Sequence, residues 1–295
     1  MLDIHAHLHD LAFDADRDAV VKRAFDAGVT KIITIGTDTK ESRRAVACAE
    51  RHEGVYASVG IHPDFFNETI EKESPITKIQ ETNNHQSSII NHQEILSELK
   101  EIALSSDKVV AIGECGLDYY NQQLTINSQQ KKMQKDGFVA QIEIARELQL
   151  PLIIHCRPSV GTVDSYEDIF LILKSKIVNL KSAVLHCYMG DTEVTKKFLE
   201  LPGIRFSFTG NITYSVKKSV AGTKDDLTEV VKMIPIDRML AETDCPYLAP
   251  VPYRGKRNEP AYVVSVIEKI AELKGISRET AEQAVIASVE KIFSI

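Results

Sequence analysis

Met1-Leu2-Asp3-Ile4-His5-Ala6-His7-Leu8-His9 opens the chain. The run Met1–Ile4 reads as a strand. Directly after it stands a row of alternating histidines rather than the glycine-rich turn of a nucleotide-binding or dinucleotide-binding sheet. A spacing of two residues puts His5 and His7 on one side of an extended chain, where both imidazoles can reach one ion. Beyond it, short β-branched runs recur at Lys31–Ile35, Val55–Val59, Val109–Ile112, Leu152–Ile154, Ala183–Leu185, Ile204–Phe208 and Met239–Ala241, which with the first makes eight strand candidates. Amphipathic helix candidates separate them, near Asp16–Ala27, Lys40–Arg51, Glu94–Ser105, Gln129–Leu148, Ser165–Ser175, Asp191–Leu201 and Leu227–Met233. Two more, Ala261–Lys274 and Arg278–Phe293, close the chain. A strand-then-helix unit repeated in this way predicts an α/β fold with parallel crossovers, closed as a single-domain (β/α)8 TIM-like barrel. An open doubly wound sheet is the alternative, and the missing glycine-rich loop weighs against it.

The composition fits one large core: 295 residues, 43% of them hydrophobic. Lys plus Arg number 35 against 42 Asp plus Glu, a net charge of −7, which excludes a protein that coats DNA or an anionic membrane through bulk charge. A nucleic-acid partner must therefore be held locally. No apolar run approaches the roughly 20 residues of a membrane span, and no signal peptide is visible. Five cysteines without a Cys-x-x-Cys pair read as reduced thiols of a cytoplasmic protein. Asn67–Gln93, rich in Glu, Asn, Gln and Ser, reads as a surface-loop insertion with one short helix; a substrate lid is the other reading.

In such a barrel the chemistry sits at the C-terminal ends of the strands. Those ends carry His5 and His7, then Gly113-Glu114, His155, His186 and Glu242-Thr243-Asp244. Each histidine taken singly reads as a satisfied core residue. Together, with burial of an unpaired polar group costing about 1–3 kcal/mol, they are accounted for by a shared metal cluster. Glu114 can bridge two ions, which an imidazole cannot do. Asp244 can bind an ion and accept a proton from water, and Glu242, two residues earlier on the same side, is placed to orient a ligand histidine. Nitrogen and carboxylate donors without thiolate suit Zn²⁺, Mn²⁺, Mg²⁺ or Co²⁺, and two ions fit the set. Cys115, Cys156, Cys187 and Cys245 each follow a proposed ligand, so alternation turns them away as small fillers between sheet and helices. His9, His52, His85 and His92 read as ordinary surface residues. Arg157, with Arg254, Lys256 and Arg257 in the loop Pro246–Pro260, could fork phosphate oxygens or simply be solvated.

These residues fall in blocks: Asp3-Ile4-His5-Ala6-His7, Gly60-Ile61-His62-Pro63, Gly113-Glu114-Cys115-Gly116-Leu117-Asp118-Tyr119-Tyr120, Ile154-His155-Cys156-Arg157, His186-Cys187-Tyr188 and Glu242-Thr243-Asp244-Cys245-Pro246-Tyr247-Leu248, continued by Pro250–Pro260. In them the sequence resembles TatD-type metal-dependent hydrolases of the amidohydrolase-like superfamily, over essentially the whole chain. The resemblance implies one to three divalent ions held by His5, His7, Glu114, His155, His186 and Asp244, and phosphodiester hydrolysis, typically of single-stranded DNA from the 3′ end. It assigns His62 to metal-bound water or substrate phosphate, and Arg157, Tyr247, Arg254 and Asn258 to the substrate side. It also implies a monomer. Many relatives carry a second histidine after His-Pro where this chain has Asp64, and the Asn67–Gln93 segment is longer than usual. The leading expectation is a metal-dependent deoxyribonuclease. A deacylase or amidase, for example of aminoacyl-tRNA, and a non-catalytic metal-binding barrel are the alternatives.

Overall fold

β1 (Leu2–Ala6), buried at every position, begins an eight-stranded parallel sheet in the computed structural model, which describes residues 1–66, 92–120, 126–176, 180–214 and 227–295. The strands lie in chain order: β2 (Lys31–Ile35), β3 (Val55–Val59), β4 (Val109–Asp118), β5 (Leu152–Arg157), β6 (Ala183–Leu185), β7 (Ile204–Phe208) and β8 (Met239–Ala241). The chain just beyond β8 closes the last seam. There Asp244 N donates to His5 O and His7 N to Cys245 O, both at 2.8 Å, and Ala6 and Cys245 form a parallel bridge. The side chain of Asp3 secures the same seam by accepting from Thr243 N at 2.9 Å and Thr243 Oγ1 at 2.5 Å. The (β/α)8 barrel expected from the sequence is thus the observed fold.

Helices follow the strands because amphipathic segments cover the apolar strands from outside, several of them opened by a side-chain cap. α1 (Arg17–Asp26), α2 (Thr39–Arg51), α3 (His92–Leu104), α4 (Ser128–Leu148), α5 (Asp164–Lys176), α6 (Thr192–Leu199) and α7 (Leu227–Met233) precede β8, and α8 (Val263–Lys274) and α9 (Arg278–Phe293) follow it. Asp38 caps α2 by accepting from Glu41 N at 2.7 Å. Asn127 and Gln130 form a reciprocal capping box at α4. Between the β6–β7 strands and α6, Tyr188 packs edge-on against Phe206 with ring centroids 4.9 Å apart. Among the described residues no helix is long and apolar enough to cross a membrane.

Two strands run further than their apolar cores predict. β4 continues through Gly113-Glu114-Cys115-Gly116-Leu117-Asp118, and β5 continues to Arg157. Gly113 and Gly116 have φ of 149° and 141°, and a Cβ there would strike the carbonyls of Ile153 and His155 on β5. Glycine therefore lets β4 press against β5, with a register shift between Ile112 and Cys115 that carries Glu114 to the barrel mouth. Of the segment expected as an insertion, residues 67–91 lie outside the described residues, while His92 and Gln93 are the first residues of α3.

Candidate metal centre

The strand ends converge on Glu114. Its Oε1 lies 2.7 Å from His155 Nδ1, 3.1 Å from His186 Nε2 and 3.8 Å from His62 Nε2, while Oε2 lies 3.4 Å from His5 Nε2. Asp244, from the chain after β8, places Oδ1 3.7 Å from His5 Nε2 and 3.5 Å from His7 Nε2. His5 and His186 stack with ring centroids 3.9 Å apart. All six residues expected as metal ligands are thus brought together at one end of the barrel.

His5 supplies the test of whether these residues suit a metal. It is fully buried, and among the described residues neither of its ring nitrogens makes a hydrogen bond. Burying such an imidazole unpaired is costly unless its lone pair faces a cation. Donors bound at about 2.0–2.1 Å in a tetrahedral shell stand about 3.4 Å apart. The separations from His5 to Glu114 and from His7 to Asp244, 3.4 and 3.5 Å, have that spacing. Three overlapping groups have donor atoms within 4.8 Å of one another: His5-Glu114-His186, His5-His7-Asp244 and His62-Glu114-His155. The donor set fits divalent metal binding.

The outer nitrogens are fixed by the scaffold. His7 Nδ1 lies 3.1 Å from Ile35 O, and His186 Nδ1 lies 3.1 Å from Glu242 Oε1. Each acceptor holds the ring proton on Nδ1 and leaves the Nε2 lone pair turned to the cluster. Burial alone would raise the Glu114 carboxyl, but the charge of His186 and the bonds to His155 and His186 hold it well below its ordinary range. Against the same burial, Asp118 and Glu114 lift His155 to about 9, and Glu114 and Glu242 lift His186 well above its ordinary value. Carboxylates that pull protons this strongly onto imidazoles attract divalent cations by the same field. Away from the cluster, burial pushes the Asp3 carboxyl up to about 8, opposed by its bonds from Thr243.

A pocket of about 780 Å³ opens over the cluster, and His62, Arg157 and Tyr247 line it. His62 packs edge-on to His155 at 4.4 Å; burial, with the charge of His155, lowers it to about 4, so it is neutral at pH 7. Arg157 is exposed and lies over the Tyr120 ring at 3.7 Å. Tyr247 is 57% exposed, edge-on to His7.

Asn258 is a correction. It is fully buried, its Nδ2 donates to Thr243 O at 2.8 Å and Tyr247 O at 2.6 Å, and its Oδ1 accepts from Glu259 N at 3.0 Å. Its amide is engaged by backbone, so it braces the loop after β8 instead of facing substrate. Arg254 is not on the pocket wall but lies over the Tyr214 ring at 4.1 Å. Arg257 pairs with Asp16 at 2.7 Å, which occupies it away from the pocket.

His9 is a second correction, because it is buried and lines the pocket, with Nδ1 2.9 Å from Thr34 Oγ1 and Nε2 3.2 Å from Glu41 Oε2. His52 and His92 are half-buried, and His85 lies outside the described residues. Cys115, Cys156 and Cys245 are buried fillers, whereas Cys187, at φ 43° beyond the end of β6, is half-buried beside Thr209. Sequence reasoning missed Asp118, whose Oδ2 lies 3.0 Å from His155 Nε2 on the pocket wall. The signal was present: Glu114, Gly116 and Asp118 alternate, so a strand continued through the glycines puts Asp118 on the face of Glu114.

A closed parallel barrel whose strand ends gather imidazoles and carboxylates around one shared glutamate defines a metal-dependent hydrolase of the barrel type. The chain belongs to the TatD-related DNase family, whose model matches residues 2–294. It is 36% identical over 295 residues to the uncharacterized metal-dependent hydrolase YabD of Bacillus subtilis, covering 100% of this chain and 99% of that one. It is 32% identical over 300 residues to the 3′-5′ ssDNA/RNA exonuclease TatD of Erwinia billingiae, covering 100% of this chain and 99% of the relative. The crystal structure of YJJV, a TatD homolog from Escherichia coli, superposes with a TM-score of 0.79 at 26% identity, covering 100% of this chain and 98% of that one.

Proposed function

We propose that this chain is a 3′-5′ exonuclease that hydrolyses phosphodiester bonds of single-stranded DNA, with two divalent ions held by His5, His7, Glu114, His155, His186 and Asp244. The observation that carries the reading is Glu114, whose two oxygens face different imidazoles, Oε2 toward His5 and Oε1 toward His155 and His186. Kinship to a relative named as a 3′-5′ ssDNA/RNA exonuclease supports the substrate and polarity.

Divalent ions bound there supply Lewis acidity toward a phosphoryl oxygen and lower the pKa of a bound water. The chain's own residues do the rest. Asp244, whose carboxyl is held below its ordinary range by His7 and the charge of His186 against the pull of burial, accepts the proton of the attacking water. Arg157 forks the phosphate oxygens from the pocket wall. Neutral His62, at the mouth beside Glu114, donates to a phosphate oxygen or orients the water. Asp118 holds His155 from the side opposite Glu114.

The test is degradation of 5′-labelled single-stranded DNA with Mg²⁺ or Mn²⁺, with EDTA and Asp244→Asn run alongside. A ladder that shortens from the 3′ end and is lost in both controls is the expected result. Intact DNA from protein shown to hold metal would reject the nuclease reading and move the test to aminoacyl-tRNA and amide substrates.

A further inference from the structure

The metal pocket is a poor place for a polyanion by its protein charges alone, since among its described lining residues seven carboxylates stand against one arginine. Divalent ions held by the cluster would neutralise the scissile phosphate, but neighbouring phosphates and bases of a strand need other partners. Most described arginines are already engaged. Arg23 pairs with Glu259, Arg44 with Glu41, Arg257 with Asp16 and Arg278 with Glu268, while Arg205 and Arg238 donate to backbone carbonyls.

Among the described residues, Arg51, Arg157 and Arg254 have guanidinium groups with neither an ion pair nor a hydrogen bond. Arg51 ends α2 on the outer layer of helices. The other two stand at the barrel mouth, and each guanidinium lies over a tyrosine ring: Arg157 over Tyr120 at 3.7 Å and Arg254 over Tyr214 at 4.1 Å from the ring centroid. Both tyrosines are half-buried, and Tyr214 is pinned by its hydroxyl, which donates to Ala249 O at 3.0 Å. A guanidinium held over an aromatic ring by cation–π attraction keeps its N–H groups available for phosphates.

The two pairs occupy different seams. Tyr120 and Arg157 follow β4 and end β5, whereas Tyr214 and Arg254 follow β7 and β8, with His186 at the end of β6 between them. Three strand spacings of about 4.8 Å separate the seams, about 14 Å around the rim, more than one phosphate group spans. Exposed Tyr247 stands on the pocket wall, edge-on to His7.

We infer that a single strand of several nucleotides crosses the barrel mouth between two preformed guanidinium–tyrosine pairs, Arg157 over Tyr120 and Arg254 over Tyr214, which hold its backbone and bases on either side of the metal cluster. This rests on the nuclease reading above and adds where the strand runs and which residues grip it.

The experiment measures binding of a labelled phosphorothioate dodecamer, which resists hydrolysis, to the metal-loaded protein by fluorescence anisotropy across a salt series. Arg157→Ala and Arg254→Ala are each expected to weaken binding about tenfold. Each should also reduce the slope of log affinity against log salt by about one. Tyr214→Ala should act like Arg254→Ala, whereas Tyr214→Phe, which keeps the ring, should bind nearly as the wild type does. Arg51→Ala, equally unpaired but away from the mouth, should leave binding unchanged. Affinity unaltered by either mouth arginine, an effect at only one of them, or an equal loss in Arg51→Ala overturns the strand path. If the wild type shortens single-stranded DNA and these outcomes still appear, the path alone fails; if it neither binds nor degrades any strand, the nuclease reading fails with it.

Discussion

Glu242 Oε1 lies 3.1 Å from Nδ1 of His186 and also accepts the N–H of Cys187 at 2.6 Å. One buried carboxylate therefore sets the tautomer of an imidazole whose other nitrogen faces Glu114, and fixes the backbone beside it. Neutralising it weakens the orientation without removing a ligand. Glu242→Gln is expected to lower metal affinity about 10- to 100-fold, measured by equilibrium dialysis with metal analysis, while the circular dichroism spectrum is retained. Unchanged affinity would deny Glu242 its orienting part.

Asp244 Oδ1 faces both His5 and His7, 3.7 and 3.5 Å from their Nε2 atoms, and is the proposed proton acceptor. Asp244→Asn keeps the side-chain volume but removes the base, so turnover should fall by about 10²-fold or more with the fold intact. Near-normal turnover in a variant that folds would exclude it as the proton acceptor.

Asn258 ties the carbonyls of Thr243 and Tyr247 together from inside the protein. Asn258→Ala leaves both acceptors without that partner and should cost about 1–3 kcal/mol, read as a lower urea midpoint. A midpoint equal to that of the wild type would remove the bracing role.

Asp164 accepts from Ser159 N at 3.0 Å, Thr162 Oγ1 at 2.8 Å and Lys131 Nζ at 2.7 Å, and so organises the loop after β5. Burial pushes its carboxyl up, but Lys131 and the other donors win and hold it at about 2, below its ordinary 3.8. A depressed carboxyl stabilises the fold above the unfolded value, and that contribution fades as pH falls from near 4 toward 2. For a partly exposed group it amounts to about 1 kcal/mol. Asp164→Asn should therefore be less stable than the wild type at pH 6, with a gap that narrows by pH 3 in parallel urea titrations. A gap that stays constant with pH would show that the carboxylate charge contributes nothing.

Much of this was legible in the sequence because barrel strands are short, apolar and β-branched, and each proposed ligand stands at or just beyond the end of such a run. Ala183–Leu185 and Ile204–Phe208 are the strands observed, and the pairing of Glu242 with a ligand histidine follows from the two-residue step to Asp244. The features that escaped did so for physical reasons. Glycines at 113 and 116 hide the far half of β4, and with it Asp118, because they look like a turn and act as points of close approach to β5. His9 reads as a surface residue because its cover comes from distant partners, Thr34 on β2 and Glu41 on α2. Asn258 was placed by resemblance, and a motif does not distinguish a residue that touches substrate from one that holds the loop that does.

Anomalous scattering from a crystal of the Mn²⁺-loaded protein would locate the ions. Two peaks are expected, one beside each oxygen of Glu114, the first among His5, His7 and Asp244 and the second among His155 and His186. A single peak away from Glu114, or none from protein shown in solution to hold metal, would contradict that arrangement.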